Sequence, residues 1–103
     1  MTAIPADSRD EHLATIVTLF LSVKNLRELP NGYAFQLSNE PNILLTAAQF
    51  IARERRCCPF FEFSLQVERN GGAVWLSLTG REGVKPFIMA EIGDHLPQIL
   101  DIE

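Results

Sequence analysis

The chain contains one eight-residue pattern twice, as Asn31-Gly32-Tyr33-Ala34-Phe35-Gln36-Leu37-Ser38 and, about 39 residues later, as Asn70-Gly71-Gly72-Ala73-Val74-Trp75-Leu76-Ser77. Five of the eight positions are identical in the two copies. In both, an Asn-Gly pair tolerates the positive φ of a tight turn. The residues that follow alternate between apolar and polar, which is typical of a strand with one buried face. The pattern therefore predicts a β-hairpin at each position.

A segment with helical periodicity follows each hairpin. The first begins near Pro41, which is tolerated in the first turn of a helix, and runs to Cys57. The second begins near residue 81 or 82 and ends at Gly93, before a short tail that Asp94 caps and that docks through Leu96, Ile99 and Leu100. These segments predict one helix after each hairpin.

The N-terminal region predicts a further helix, from about residue 8 to residue 22, behind a frayed segment 1–7. Ser8 and Glu11 have the spacing of a capping box, in which two side chains satisfy free amides at a helix start. The β-branched residues of segment 15–18 favour a strand as the competing interpretation.

The repeated pattern has two interpretations, a structural duplication or two unrelated hairpins that share an Asn-Gly turn. Under the first, the chain consists of two ββα units after the N-terminal helix. Under both, four antiparallel strands covered by helices on one face form the economical two-layer solution. We therefore expect a single α+β domain over residues 1–103, with the other face of the sheet open to water, a ligand or a second subunit.

Charge and hydropathy exclude several classes of protein. The net charge is −4, whereas binding of nucleic acid needs a positive surface. The apolar run at residues 16–21 is far shorter than the ~20 residues that a bilayer requires. Acidic residues precede this run where a signal peptide is basic. We therefore expect no nucleic acid, no membrane and a cytoplasmic location.

Cys57 and Cys58 are the only cysteines, and they lie between the charged segment 53–56 and Pro59. Proline disfavours the α conformation of the preceding residue, so Cys57 is predicted to be the last helical residue and Cys58 to be extended. In a reducing cytosol such a pair is expected to be free, metal-binding or redox-active rather than a structural disulfide.

Two neighbouring thiolates can bind soft metals or metalloids, which prefer sulfur. A helix C-terminus disfavours a thiolate, but the cationic side chains of Arg53 and Arg56 favour it. We therefore predict that one of the two thiols has a pKa below the ~8.5 of free cysteine. Glu54 is either a base beside the thiols or an ion-pair partner of a neighbouring arginine. The competing interpretation is that the cysteines are small buried residues at a helix–strand junction.

The sequence signal for a zinc site is weak, because zinc takes about four ligands. The two histidines, His12 and His95, are distant from the cysteines in sequence. Each is expected at the surface.

Two further positions are candidates for binding. Gly80, Gly83 and Lys85 lie at a strand-to-helix turn, where amides can bind an anion, although a purely structural turn is the favoured interpretation. Trp75 is out of phase with the apolar residues of its strand. We therefore expect it on the open face of the sheet, as a contact surface for a partner or for a second copy of the chain.

The segments 54–63 and 74–85 together resemble a family of small, uncharacterised bacterial proteins. The shared features are a Glu-Arg-x-Cys-Cys-Pro-Phe motif, a Trp-Leu strand and a Thr-Gly-x-Glu-Gly turn. The resemblance covers about residues 26 to 92. It implies that Cys57 and Cys58 belong to a family pattern, and it implies no particular activity.

The sequence leaves two classes of function open. One is a cytosolic thiol protein that binds a soft metal or metalloid, or responds to oxidants, through Cys57 and Cys58. The other is a non-enzymatic binding or dimerising module that uses the sheet face around Trp75. No triad or nucleotide-binding loop in the sequence points to an enzyme.

Overall fold

The computed structural model describes residues 6–96, which form three α-helices, four β-strands and a short 3₁₀ helix. In chain order these are α1 (Ala6–Leu21), β1 (Asn25–Leu29), β2 (Gly32–Leu37), α2 (Pro41–Cys57), β3 (Glu62–Val67), β4 (Val74–Thr79), α3 (Val84–Ile92) and the 3₁₀ helix (Gly93–His95). The predicted α+β fold with a four-stranded antiparallel sheet is confirmed. No helix among the described residues has both the length and the apolar character needed to span a bilayer.

The sheet places the two copies of the repeated pattern side by side. Its strand order is β1-β2-β4-β3, so the second strands of the two hairpins meet at the centre. In this central pair Gln36 lies opposite Trp75, and these residues hold the same position in the two copies of the pattern. An approximate two-fold axis therefore passes between them. Since a helix follows each hairpin, the ββα unit occurs twice.

One face of the sheet carries the hydrophobic core. Strand β4 alternates between the buried Val74, Leu76 and Leu78 and partly exposed residues on the opposite face. Phe20 of α1 makes edge-to-face contacts with Phe35 of β2 and with Phe50 of α2, at centroid distances of 5.1 and 5.3 Å. The helices thus join the sheet in one apolar layer on this face, as the period-two pattern predicts.

The first helix begins earlier in the structure than the sequence predicts. Helix α1 already includes Ala6, so Ser8 lies inside the helix and is not its N-cap. Of the predicted frayed segment 1–7, the last two residues belong to α1, and residues 1–5 lie outside the described part of the chain. The strand interpretation of segment 15–18 is wrong, because this segment belongs to the same helix.

The bounds of β3 and α3 also differ from the predicted ones. Strand β3 is shorter than the predicted 60–69, since the first of these residues form a turn after α2. Helix α3 ends at Ile92, and Gly93 continues into the 3₁₀ helix with right-handed φ and ψ. Ile99 and Leu100 of the predicted docked tail lie outside the described residues.

Gly32, the glycine of the first Asn-Gly pair, is required by a close approach of two strands. It lies opposite Thr79 in the central strand pair. A Cβ atom at Gly32 would lie 2.0 Å from the carbonyl oxygen of Leu78 and 2.7 Å from the Cα of Thr79. Both are backbone atoms, so a side chain here forces the strands apart.

We expect Gly32→Ala to destabilise the protein by about 3 kcal/mol, the upper part of the usual range for overpacking a close contact. Gly93→Ala is the matched control, because Gly93 has φ −54° and the nearest atom to an added Cβ is Sδ of Met89, at 3.6 Å. Urea unfolding measures the free energy of unfolding of both variants. Equal stability of the two variants would contradict the close approach of β2 and β4.

Candidate functional site

Helix α2 ends at the cysteine pair in the way that Pro59 predicts. Cys57 is the last helical residue, and Cys58 leaves the helix with φ −127° and ψ 72°. The amide of Cys58 still donates to the carbonyl of Glu54 at 2.7 Å, while the carbonyl of Cys58 accepts from the amide of Phe61 at 3.2 Å. The chain therefore turns at Pro59 directly into the approach to β3.

This break makes the two cysteines unequal. Both are free thiols. Cys58 is buried, with 1% of its surface exposed, whereas Cys57 is half-buried. The end of the helix thus places one sulfur in the interior and one at its edge.

Three titratable residues occupy positions on the buried sides of three different helices. His12 lies one turn before the buried Ile16 of α1, and Glu54 lies one turn after the buried Phe50 of α2. Glu91 lies three residues after the buried Ile88 of α3 and is half-buried. The helical period therefore directs all three toward the interior, where an apolar side chain would normally lie.

His12 and Glu54 form a buried hydrogen bond between α1 and α2. The Nε2–H group of His12 donates to Oε1 of Glu54 at 2.8 Å, and the side chains of the two residues are 9% and 1% exposed. The imidazole also stacks on Phe50, with ring centroids 5.8 Å apart. The expectation of a surface histidine at position 12 is therefore wrong, because a buried carboxylate needs a hydrogen-bond donor.

Glu54, Cys58 and Glu91 form a compact group of potential ligands. One ligand atom from each lies within 4.8 Å of the others. Three buried polar atoms around this group have no hydrogen-bond partner among the described residues: Nδ1 of His12, Oε2 of Glu54 and Oε1 of Glu91. Buried polar atoms without partners are rare in native proteins, and a bound ion is one way in which such atoms are satisfied.

The two carboxyl groups have different pKa values because their surroundings differ. Burial acts to raise the pKa of Glu54, but contacts with His12, Glu91 and Cys58 outweigh it and hold this pKa below 4.5. Burial and the neighbouring Glu54 raise the pKa of Glu91 to about 8. Two neighbouring carboxyl groups repel each other when both are ionised, and a shared proton or a bound cation removes this repulsion. A pKa of about 8 means that Glu91 holds a proton at neutral pH.

The pKa of Cys58 is raised, first by burial and then by the negative charges of Glu54 and Glu91. The prediction of a lowered pKa is therefore wrong for this thiol. The physical reason is the direction of Arg53, whose guanidinium contacts Thr15 at 3.1 Å and Glu11 at 3.2 Å on α1. Arg56 is exposed at the surface of α2. Carboxylates, and not arginines, are the charges that act on Cys58.

An aromatic cluster joins the segment after Pro59 to helix α3. Phe60 and Phe61 contact Phe87 edge to face, at centroid distances of 5.3 and 5.7 Å. Phe87 lies one helical turn before Glu91 on α3. The cluster therefore fixes the break in α2 against the helix that carries Glu91, and this brings Cys58 and Glu91 together.

Two of the three residues of the predicted anion site, Gly80 and Lys85, make contacts within the protein. The amide of Gly80 donates to the carbonyl of Asn31 at 3.0 Å. The Lys85 ammonium donates to Glu28 and lies over the ring of Tyr33. Gly83 has φ 93° and precedes the first residue of α3, so its role there is that of a turn.

Trp75 lies on the sheet face opposite to the core, as its phase in β4 predicts, and is half-buried there. The guanidinium of Arg27 stacks over its ring, with the Cζ atom 4.4 Å from the centroid. The face around Trp75 is otherwise largely polar, since Gln36 and Gln66 flank it on the neighbouring strands.

Comparison of the chain with family models, with curated proteins and with solved structures gives no match. The resemblance to a bacterial family therefore stays an expectation. Function has to be inferred from the geometry of the site.

The pH dependence of stability tests whether Glu91 is protonated in the folded protein at neutral pH. An unfolded glutamate ionises near pH 4.5, whereas folded Glu91 has a pKa of about 8. Its folded-state pKa is raised, so its contribution to stability is present below pH 4.5 and is lost as the pH rises through 8. We expect the free energy of unfolding, measured with a chelator present, to fall by at least about 1.4 kcal/mol between pH 5 and 9, the equivalent of one pKa unit.

Glu91→Gln should flatten this pH profile, because the amide does not ionise. Glu82→Gln, at an exposed position of the turn before α3, is the matched control and should keep the profile of the wild type. Parallel profiles for Glu91→Gln and the wild type would show that Glu91 is ionised at neutral pH in the folded protein.

Proposed function

We propose that this chain is a small thiol protein that binds a metal or metalloid cation at the Cys57–Cys58 break. The observation that supports this proposal is the buried group of Glu54, Cys58 and Glu91, with two carboxyl oxygens that lack partners beside a thiol. A single cation can bind both carboxyl oxygens and the sulfur at the same time. Cys57 supplies a second sulfur next to Cys58 in the chain, at the last residue of α2.

Electrostatics favours cation binding over the oxidant response that the cysteine pair also suggests. Reaction with an oxidant needs a thiolate, and the carboxyl groups around Cys58 disfavour one. A bound cation reverses this balance, because its charge deprotonates a coordinating thiol outright. The same negative surroundings that suppress a nucleophile thus favour a metal ligand.

Native mass spectrometry of the reduced full chain tests this proposal. Samples with Hg(II), As(III), Cu(I) or Zn(II) are compared with the metal-free protein. We expect an adduct of one ion per chain with at least one of these ions, because the chain has a single pair of cysteines. The double variant Cys57→Ser/Cys58→Ser should lose that adduct.

The control is Ser77→Ala, which removes a hydroxyl from the opposite face of the sheet and leaves both thiols in place. It should bind as the wild type does. Absence of every adduct from the folded wild-type protein, or an adduct that the double variant retains, would contradict the proposal.

A second candidate function is a binding or homodimerising module. It is favoured by the position of Trp75 on a sheet face that none of the described helices covers. An amphipathic indole at such a place is typical of a contact surface. Arg27 already stacks on this ring, so a partner would meet a preformed pair of an aromatic and a cationic side chain.

The oligomeric state of the metal-free protein tests this second function. We expect the wild type to form a dimer in native mass spectrometry and Trp75→Ala to shift it to the monomer. Leu45→Ala, which truncates an exposed side chain of α2, is the control and should leave the dimer intact. A monomeric wild type at micromolar concentration would overturn the homodimer.

A further inference from the structure

We propose that Glu54, Cys58 and Glu91 together bind a divalent cation of borderline softness, of which Zn²⁺ is the biological example. This inference rests on the proposed function and deepens it, because it names the ligands and the class of metal. It also separates the roles of the two cysteines, since Cys58 is a ligand and Cys57 is not required.

The donor set selects the class of metal. Purely soft ions such as Cu(I) prefer sites made of sulfur, and hard ions such as Mg²⁺ and Ca²⁺ prefer sites made of oxygen. One thiolate with two carboxylates fits neither class. Zinc accepts cysteine sulfur and carboxylate oxygen in the same site, so a borderline ion matches the mixed set.

Two buried carboxyl oxygens without hydrogen-bond partners within residues 6–96 are an independent observation that points to a ligand. Glu54 is 1% exposed, yet its Oε2 atom has no hydrogen-bond partner among the described residues. Oε1 of Glu91 is buried and equally without a partner within the described part of the chain. Buried carboxyl oxygens need a donor or a cation, and two of them beside one thiol define a place where a cation can bind.

The three ligands come from three places that the fold holds together. Glu54 projects from the last turns of α2, Cys58 follows the break, and Glu91 comes from α3. The Phe60, Phe61 and Phe87 contacts hold the break against α3. A cation at this point therefore links two helices through side chains whose backbones are already fixed.

His12 acts as a positioning residue and does not touch the metal in this arrangement. Its Nε2–H group holds Oε1 of Glu54, which leaves Oε2 of the same carboxylate for the cation. Such supporting hydrogen bonds orient metal-binding side chains and usually contribute about 10- to 100-fold in metal affinity.

Three protein ligands leave a fourth coordination position. Structural zinc sites are usually closed by four protein ligands, whereas sites with three keep one position for water or for an exogenous ligand. Glu91 is half-buried as a residue, although its Oε1 atom is buried. The Cys57 sulfur lies outside the group of atoms within 4.8 Å of one another.

Titration of the reduced full chain with Co²⁺, a spectroscopic substitute for Zn²⁺, tests the inference. We expect one Co²⁺ per chain, a near-ultraviolet charge-transfer band that reports a cobalt–thiolate bond, and displacement of Co²⁺ by Zn²⁺ but not by Mg²⁺. Glu91→Gln should weaken binding by at least about 100-fold, since loss of a ligand exceeds the effect of losing a supporting residue.

The matched controls are Cys57→Ser and Glu82→Gln, which should each change the affinity by less than about 3-fold. His12→Gln should weaken binding by about 10- to 100-fold and keep the charge-transfer band, as expected of a positioning residue. Glu91→Gln is nearly isosteric and keeps a neutral side chain at a half-buried position, so it should remain folded. Circular dichroism verifies this before each titration.

The outcomes distinguish this inference from the proposed function. If Hg(II) or As(III) binds through both cysteines, while Co²⁺ and Zn²⁺ do not bind, the inference is overturned and the thiol function stands. The inference is likewise overturned if Co²⁺ binding needs Cys57 or is insensitive to Glu91→Gln. If no ion of either class binds the folded wild type, both proposals fail.

Discussion

The burial of the Glu54 carboxylate is the constraint on which the site depends. Removing an ionised carboxylate from water costs several kcal/mol unless hydrogen bonds and opposite charge replace the lost solvation. Here the donor comes from His12 on another helix. The pair therefore couples the apolar packing of α1 against α2 to a single polar contact, and it fixes which turn of one helix faces which turn of the other.

The same carboxylate sets the chemistry at the end of α2. Glu54 lies next to Cys58, so the thiol stays protonated, and next to Glu91, which also retains its proton at neutral pH. A site with one carboxylate, one neutral carboxyl group and one neutral thiol is poorly suited to nucleophilic attack. It is well suited to release protons to solvent and to accept a cation in their place.

Much of the fold was predictable from local patterns, whereas the site was predictable only in part. The Asn-Gly turns and period-two strands indicated the two hairpins, and Pro59 indicated the end of α2, because its effect on the preceding residue is steric and local. The prediction that Arg53 lowers the pKa of a thiol did not allow for the direction of its side chain, which points toward acceptors on α1. Glu91 was missed and His12 was placed at the surface, although both fall on the buried phase of their helices. The sequence shows that these residues face the interior, but it does not show that they lie near each other in the fold.

X-ray absorption at the zinc edge of the zinc-loaded full chain counts the sulfur atoms bound to the metal. A cation held by Glu54, Cys58 and Glu91 requires one sulfur at about 2.3 Å, with oxygen or nitrogen atoms at about 2.0–2.2 Å in the remaining positions. Two sulfurs bound to the metal would instead assign it to the vicinal thiols as a pair. Absence of any bound sulfur would remove Cys58 from the site and refute the proposed ligand set.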